Sequence, residues 1–184
     1  MRHALIVATA LLTGSILCPA SAQEGPTTDQ LQAAIVRAEA EIPAGQARDV
    51  NLPLAKLQLK KARLLEGGGW YAGGDASGEI AEGLRLLEMA ARDETYTLPK
   101  SKLSELAYIA HNDGTVQPYY LHIPEAYDGE RAWPLIVFLH GYVPNITVVD
   151  PWVLSEEVCD IAEKNGCILL IPYGRRNTDF QGVG

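Results

Sequence analysis

The chain has 184 residues, of which 47% are hydrophobic and 21% are charged, and its formal net charge is −8. That length and apolar content can build one good hydrophobic core but hardly two large ones, so we expect one globular α/β unit with a smaller attachment. The acidic balance and the lack of any basic stripe in the sequence argue against nucleic acid as a partner, because such binding depends on clustered Lys and Arg.

Residues 1–22 have the pattern of a secretory signal peptide. Arg2 and His3 give a charged start, Ala4–Leu12 is apolar, and Ala20–Ala22 is a small-residue cleavage site. The apolar run is shorter than the roughly 20 residues that a membrane helix needs. We therefore expect a secreted or periplasmic protein without a membrane span.

Residues 23–97 predict three amphipathic helices. Thr27 and Gln30 have the spacing of a capping box at the start of the first helix. Pro53 is expected to open the second helix and Gly67–Gly69 to end it, while the third is expected over Ser77–Ala91 with its first residue as the cap. The helical spacing predicts inward positions at Leu31, Ile35, Ala38, Ile42, Leu54, Leu57, Ala62, Leu65, Ile80, Leu84, Leu87 and Ala91. Four basic side chains of the second helix are expected to stay in water: Lys56, Lys60, Lys61 and Arg63. Apolar stripes mostly serve cores, so the helices are expected to pack against or space the next domain rather than to bind a ligand.

A change of composition near Pro99 marks a boundary, and residues 98–184 predict an α/β domain. Leu106–Ala110 and Pro118–Ile123 are expected to form an antiparallel hairpin, with a turn at Asn112–Gly114 whose glycine supplies a positive φ. His122 alternates with apolar neighbours, which places it on a solvated or satisfied strand face rather than in a catalytic site.

Two further apolar runs predict parallel strands joined by a helix. Leu135–Leu139 is expected to be a central strand covered on both faces, and Cys167–Ile171 a second buried strand. Pro151–Lys164 predicts the helix between them, and its expected inward residues are Leu154, Val158, Ile161 and Ala162. Strand, helix and strand in this order imply a right-handed parallel crossover, so the predicted class is α/β.

No cofactor or metal is predicted. The glycine-rich stretch Gly67–Gly78 lacks the Gly-Lys-Ser/Thr ending of a phosphate loop, and no Cys/His spacing typical of a metal site occurs. Once the signal peptide is removed, Cys159 and Cys167 remain. A disulfide between them in an oxidising compartment is one interpretation, and burial as small apolar side chains is the stronger one.

Three segments taken together resemble the α/β-hydrolase superfamily. They are Pro124–Tyr127, Pro134–Tyr142 and Pro172–Arg175, and the resemblance, which covers about residues 103–184, is closest to secreted esterases related to prolyl oligopeptidase, polyester depolymerases and feruloyl esterases. It implies acyl transfer by a Ser-His-Asp/Glu triad on a small-molecule or polymer ester, without a cofactor. It also implies that the Leu135–Leu139 strand lies between the Cys167 strand and the strand that carries the nucleophile.

The resemblance assigns roles to the residues that follow the first of the two parallel strands. The backbone amide of Tyr142 would belong to the oxyanion hole, Gly141 would let the backbone turn, and His140 would orient the loop. Arg175 and Arg176 follow the carboxyl end of the second parallel strand, and this position, not the resemblance, makes them candidates to meet an acidic or sugar-bearing substrate. A solvated loop is the stronger interpretation, and the family pattern has glycine where Arg176 stands.

The sequence departs from that family because it contains no Gly-x-Ser-x-Gly nucleophile motif and no counterpart of the acid and base. We therefore expect the amino-terminal part of a serine esterase, inactive as this chain, in which Leu135–Leu139 is a bare apolar edge that limits solubility. The alternative is a noncatalytic binding or scaffold protein made of a helical module and an incomplete hydrolase fold. The oligomeric state stays open.

Overall fold

The computed structural model describes residues 25–67, 74–139 and 156–174, so the predicted signal peptide lies outside the described residues. The elements in chain order are α1 (Thr28–Glu41), α2 (Gln46–Glu66), α3 (Ser77–Ala91), β1 (Leu103–Ile109), β2 (Val116–His122), β3 (Leu135–Val137), α4 (Glu156–Lys164) and β4 (Ile168–Pro172). The four strands form one mixed sheet in the order β1-β2-β4-β3. The predicted α/β class is confirmed.

Helix α1 begins as its sequence predicts. The Thr27 hydroxyl accepts a hydrogen bond from the Gln30 backbone N–H at 3.3 Å, and the Gln30 side chain accepts one from the Thr27 N–H at 2.8 Å. This reciprocal pair satisfies two backbone donors that the start of a helix would otherwise leave open. Leu31, Ile35 and Ala38 are buried along one stripe, as expected.

The start of α2 differs from the prediction. Pro53 lies inside the helix, which begins seven residues earlier at Gln46. A proline in a helix interior commonly costs about 3 kcal/mol, which is why a start at Pro53 was expected. The turns before it bury Ala47, Asn51 and Leu52, and this tertiary packing overrides the local preference.

The cap of α3 also differs from the prediction, although the helix bounds are the expected ones. Ser77 is the first helical residue, and Asp75 supplies the acceptors at this end. One carboxylate oxygen of Asp75 accepts from the Ser77 backbone N–H at 2.9 Å and the other from the Ser77 hydroxyl at 2.8 Å. These hydrogen bonds, the backbone one first, hold the pKa of Asp75 below its usual value. The acceptor at this helix start is therefore the carboxylate of Asp75, and the Ser77 side chain is a donor instead of the expected capping acceptor.

The hairpin is antiparallel, as predicted, but both strands begin earlier than expected. Its register runs from Leu103 opposite His122 to Ile109 opposite Val116, and Gly114 in the turn has a φ of 68°. Polar residues at the start of β1 hid its alternation in the sequence. One of them, Glu105, faces Lys61 of α2, whose Nζ lies 2.8 Å from a Glu105 carboxylate oxygen. Lys61 is therefore partly buried, contrary to the solvated position that was expected.

Helices α1 to α3 share one hydrophobic cluster with the hairpin. The cluster is built around fully or nearly fully buried residues of the helices and of β1: Leu31, Ile35, Leu54, Ala55, Ala62, Ile80, Leu86 and Leu106. Tyr119 and Leu121 of β2 pack against it from the same face of the sheet. The helical region therefore covers the β1–β2 half of one sheet face.

A second, smaller cluster lies under α4 on the opposite sheet face. Its buried residues are Ala162 of α4 with Leu169 and Ile171 of β4, and Ile136 and Phe138 pack against them. The inward position predicted for Ala162 is confirmed, but Ile161 is 54% exposed. A helix turns by about 100° per residue, so a helix that buries Ala162 turns the preceding residue, Ile161, away from the sheet. Leu154, the other expected inward residue before Val158, lies outside the described residues.

Candidate functional site

The residues to which the sequence assigns functional roles lie outside the described residues. These are His140, Gly141, Tyr142, Arg175 and Arg176. Their roles therefore remain predictions. The structure does describe the two strands that lead into them, and these strands decide on which edge of the sheet the two segments begin.

Strands β3 and β4 are parallel neighbours, as the sequence predicts. Leu135 stands opposite Ile168 and Val137 opposite Leu170. The pairing continues past the end of β3, because the Phe138 N–H donates to the Leu170 carbonyl at 2.9 Å. Strands β3 and β4 therefore both end at the same edge of the sheet, which is the position where ligands bind in open α/β sheets.

The end of β4 is partly enclosed. Tyr173 is half-buried and the glycine that follows it is buried. Burial raises the pKa of the Tyr173 phenol, which keeps it neutral and able to donate a hydrogen bond over the ordinary pH range. Tyr173 is a polar side chain at the edge where the two strands end, and no role was predicted for it. Its position directly after a buried strand is the sequence feature that would have pointed to it.

Strand β3 occupies one end of the sheet and has one strand neighbour among the strands that the structure describes. Two of its side chains point to the face opposite α4 and are exposed by half or more: Leu135 by 54% and Val137 by 50%. Leu139, two residues past the end of the strand, is 57% exposed. The expectation that both faces of this strand are covered is therefore wrong for the described residues. Among the described residues, helices α1 to α3 pack on the β1–β2 half of this sheet face and leave the apolar side chains at the β3 end exposed.

A polar cluster lies where β2 ends, at the sheet edge away from the ends of β3 and β4. His122 is only 3% exposed, and its Nε2 lies 3.0 Å from a carboxylate oxygen of Glu163 on α4. Nδ1 of the same ring is buried and has no hydrogen-bond partner within the described part of the chain. His122 is therefore not on a solvated face. The predicted alternative was a strand face on which its polar atoms have hydrogen-bond partners, and within the described residues this holds for Nε2 but not for Nδ1. No local sequence signal links these two residues, which are 41 positions apart.

A cavity of about 560 Å³ adjoins this cluster, with Ser101, Lys102, Cys159 and Asp160 in its wall beside His122 and Glu163. The Glu125 backbone N–H, and then the His122 side chain, lower the pKa of Glu163 against the opposing effect of burial. Glu163 is consequently ionised at neutral pH. The arrangement is that of a fixed carboxylate and an oriented imidazole, a pair that can hold or exchange a proton.

Residues 25–67, 74–139 and 156–174 contain no group of three or more His, Cys, Asp or Glu side chains that could hold a metal ion. In the same ranges no helix has the length and apolar character needed to cross a bilayer. Cys159 and Cys167 are not joined by a disulfide and both pack against the cluster under α4.

Comparisons with known proteins give no family for this chain. No family model matches it, and neither a curated protein nor a solved structure matches it.

Proposed function

We propose that residues 98–184 are the amino-terminal part of a secreted serine hydrolase of the α/β-hydrolase type that acts on carboxylic esters. The observation that carries the proposal is the position of β3, which pairs in parallel with β4 on one side and lies at the end of the sheet on the other. The hydrolase resemblance implies that the Leu135–Leu139 strand pairs with the Cys167 strand, which is β4. It also implies a nucleophile-bearing strand on the other side of β3, where the structure describes no strand.

The exposed apolar face of β3 supports the same proposal. Leu135, Val137 and Leu139 form an apolar row next to a strand edge that no other described strand pairs with, and natural proteins rarely leave such an edge bare. A further strand and the helix that follows it would cover this row. In the proposed enzyme these elements come from sequence beyond Gly184.

The proposed chemistry is acyl transfer with the oxyanion hole at the end of β3. The Tyr142 amide would donate to the developing oxyanion, and one such donor is commonly worth about 3 kcal/mol of transition-state stabilisation. Gly141 would allow the turn and His140 would hold it, while Arg175 and Arg176 would face the substrate from the end of β4. The parallel arrangement of β3 and β4 supports this, since both segments start from the same sheet edge.

The first experiment is to read the coding DNA downstream of the Gly184 codon and to express any in-frame continuation. The longer protein should contain Gly-x-Ser-x-Gly, hydrolyse p-nitrophenyl esters and be labelled by a fluorophosphonate. Gly141→Val should lower kcat/KM by roughly 100-fold or more with an unchanged melting temperature. Gly25→Val is the matched control, since a Cβ at that glycine meets no atom within 4 Å. Unchanged turnover in the Gly141 variant would refute the oxyanion assignment.

The alternative is a noncatalytic binding or scaffold protein. One observation favours it: the 184 residues contain no nucleophile motif, while the helices and hairpin already share a hydrophobic cluster. A stop codon directly after Gly184, together with a soluble and cooperatively melting chain, would select this alternative over the hydrolase.

A further inference from the structure

The carboxylate of Glu163 connects α4 to three separate segments of the sheet region. One oxygen accepts a hydrogen bond from the Glu125 backbone N–H at 3.0 Å. The other lies 3.0 Å from His122 Nε2 and 3.3 Å from the Ser101 hydroxyl. Ser101 precedes β1, His122 ends β2 and Glu125 lies in the turn that follows. A single side chain of α4 thus holds the start of β1, the end of β2 and this turn together.

The ring of His122 in this connection is buried, and only one of its nitrogens has a partner within the described residues. Because Nε2 faces the Glu163 carboxylate, the neutral ring carries its proton there and leaves a lone pair on the buried Nδ1. A second proton would sit on Nδ1, where the described residues offer no acceptor. The imidazolium would then depend on the Glu163 carboxylate for its compensation.

Among the described residues, the other charged groups near His122 and Glu163 lie on α4, on the segment before β1 and in the turn after β2. Asp160 on α4 and Lys102 before β1 line the same cavity, and neither is hydrogen-bonded to the Glu163 carboxylate. In the turn, the Glu125 carboxylate lies 3.4 Å from the Ser101 hydroxyl. Lys100 is directed to the turn backbone, where its Nζ donates to the Tyr127 carbonyl at 2.6 Å. Glu163 is thus the carboxylate that His122 contacts.

The packing under α4 is slight, so this connection has a large share in holding the helix. Among the residues that the structure describes, the cluster beneath α4 contains three buried residues, whereas the cluster shared by α1, α2, α3 and the hairpin contains thirteen. The two clusters lie on opposite faces of the sheet. A local opening of α4 would therefore leave the larger cluster intact.

We propose that His122 and Glu163 form a proton-operated clasp, which holds α4 against the sheet while Glu163 is ionised and releases it when Glu163 is protonated. Protonation of Glu163 replaces a charged acceptor by a weaker neutral one in up to three hydrogen bonds, which come from the Glu125 N–H, the His122 ring and the Ser101 hydroxyl. The pKa of Glu163 is lowered in the folded state by these same donors. The clasp therefore contributes its full stability above the unfolded-state pKa of 4.5, and this is lost as the pH falls through the lower folded-state value.

The test is amide hydrogen exchange of the protein, read as protection factors for peptides from α4 and from α3 between about pH 7 and about pH 3. In the unmodified chain, α4 should lose protection by roughly tenfold or more as the pH falls, as expected when hydrogen bonds to a charged acceptor are lost. Helix α3 should keep its protection over the same interval. Glu163→Gln should show a weakly protected α4 already at neutral pH, with little further change on acidification.

Asp160→Asn is the matched control, because it removes a carboxylate from the same cavity and the same helix without touching the clasp. It should follow the unmodified chain. The proposal is overturned if α4 protection does not depend on pH, if Glu163→Gln behaves like the unmodified chain, or if Asp160→Asn behaves like Glu163→Gln. It is equally overturned if α3 and α4 lose protection together, because the transition would then be global unfolding.

Discussion

Asn51 provides the sharpest stability prediction in the helical region. Its side chain is completely buried in α2 and reaches two other segments. Nδ2 donates to the Leu86 carbonyl at 3.2 Å and to the Glu94 carbonyl at 2.9 Å, while Oδ1 accepts from the Tyr96 N–H at 2.9 Å. One amide therefore fixes the chain that leaves α3 and leads to the sheet.

Replacing Asn51 by leucine keeps the branching and the number of non-hydrogen atoms in the side chain and removes all three hydrogen bonds. The Leu86 carbonyl retains its place in the α3 hydrogen-bond ladder, so the main loss falls on the Glu94 carbonyl and the Tyr96 N–H. A buried backbone group left without a partner costs about 1 to 3 kcal/mol, and these two are partly buried, so we expect a total loss of about 3 kcal/mol. For a chain of this size that corresponds to a melting temperature lower by roughly 6 to 12 °C.

The assay is urea unfolding followed by circular dichroism, with Asn51→Asp as the second variant. Aspartate keeps the acceptor for Tyr96 but directs a carboxylate at two carbonyl oxygens, which would raise its folded-state pKa. The free energy of unfolding of Asn51→Asp should therefore be closest to that of the unmodified chain at low pH, and the difference should grow as the pH rises through the folded-state pKa. A loss below about 0.5 kcal/mol for Asn51→Leu, as for an ordinary surface substitution, would refute the reasoning.

Two further substitutions test the packing of the helices and the exposed strand. Gly83→Ala should destabilise by about 1 kcal/mol in thermal melts, because overpacking outweighs the helix-propensity gain. The new Cβ would lie 2.8 Å from both terminal carbons of the buried Leu31. The control is Gly78→Ala in the same helix, whose Cβ meets nothing within 4 Å and which should be neutral or stabilising. Equal effects of the two substitutions would contradict this account. Val137→Lys should raise the soluble yield with little change in melting temperature, since this side chain is half exposed, while Ile136→Lys on the packed face should unfold the chain. A Val137 variant that melts like the Ile136 variant would show that this face of β3 is covered in solution.

The candidate site was only partly predictable. The sequence placed the loop after β3 and the segment after β4 at one edge of the sheet, and the parallel register of the two strands agrees with that. The roles of His140, Gly141, Tyr142, Arg175 and Arg176 lie beyond the described residues and stay predictions. Glu163 was missed because its position in an ordinary helical pattern contains no sign of its partner.

The sequence by itself determined the local elements. The Thr27–Gln30 capping box, the bounds of α3 and the turn at Gly114 each follow from side chains a few residues apart, whose hydrogen bonds and allowed φ angles act within one turn of chain. The alternation of apolar runs and a helix also determined the parallel pairing of β3 and β4.

The tertiary structure alone decided which of these local preferences prevailed. Pro53 sits inside α2 because the residues before it are buried against other elements, and Ile161 is exposed because α4 meets the sheet along the Ala162 side. The Lys61–Glu105 and His122–Glu163 pairs join residues 44 and 41 positions apart. Such contacts depend on how whole elements pack, and sequence spacing within any one element carries no information about that distance.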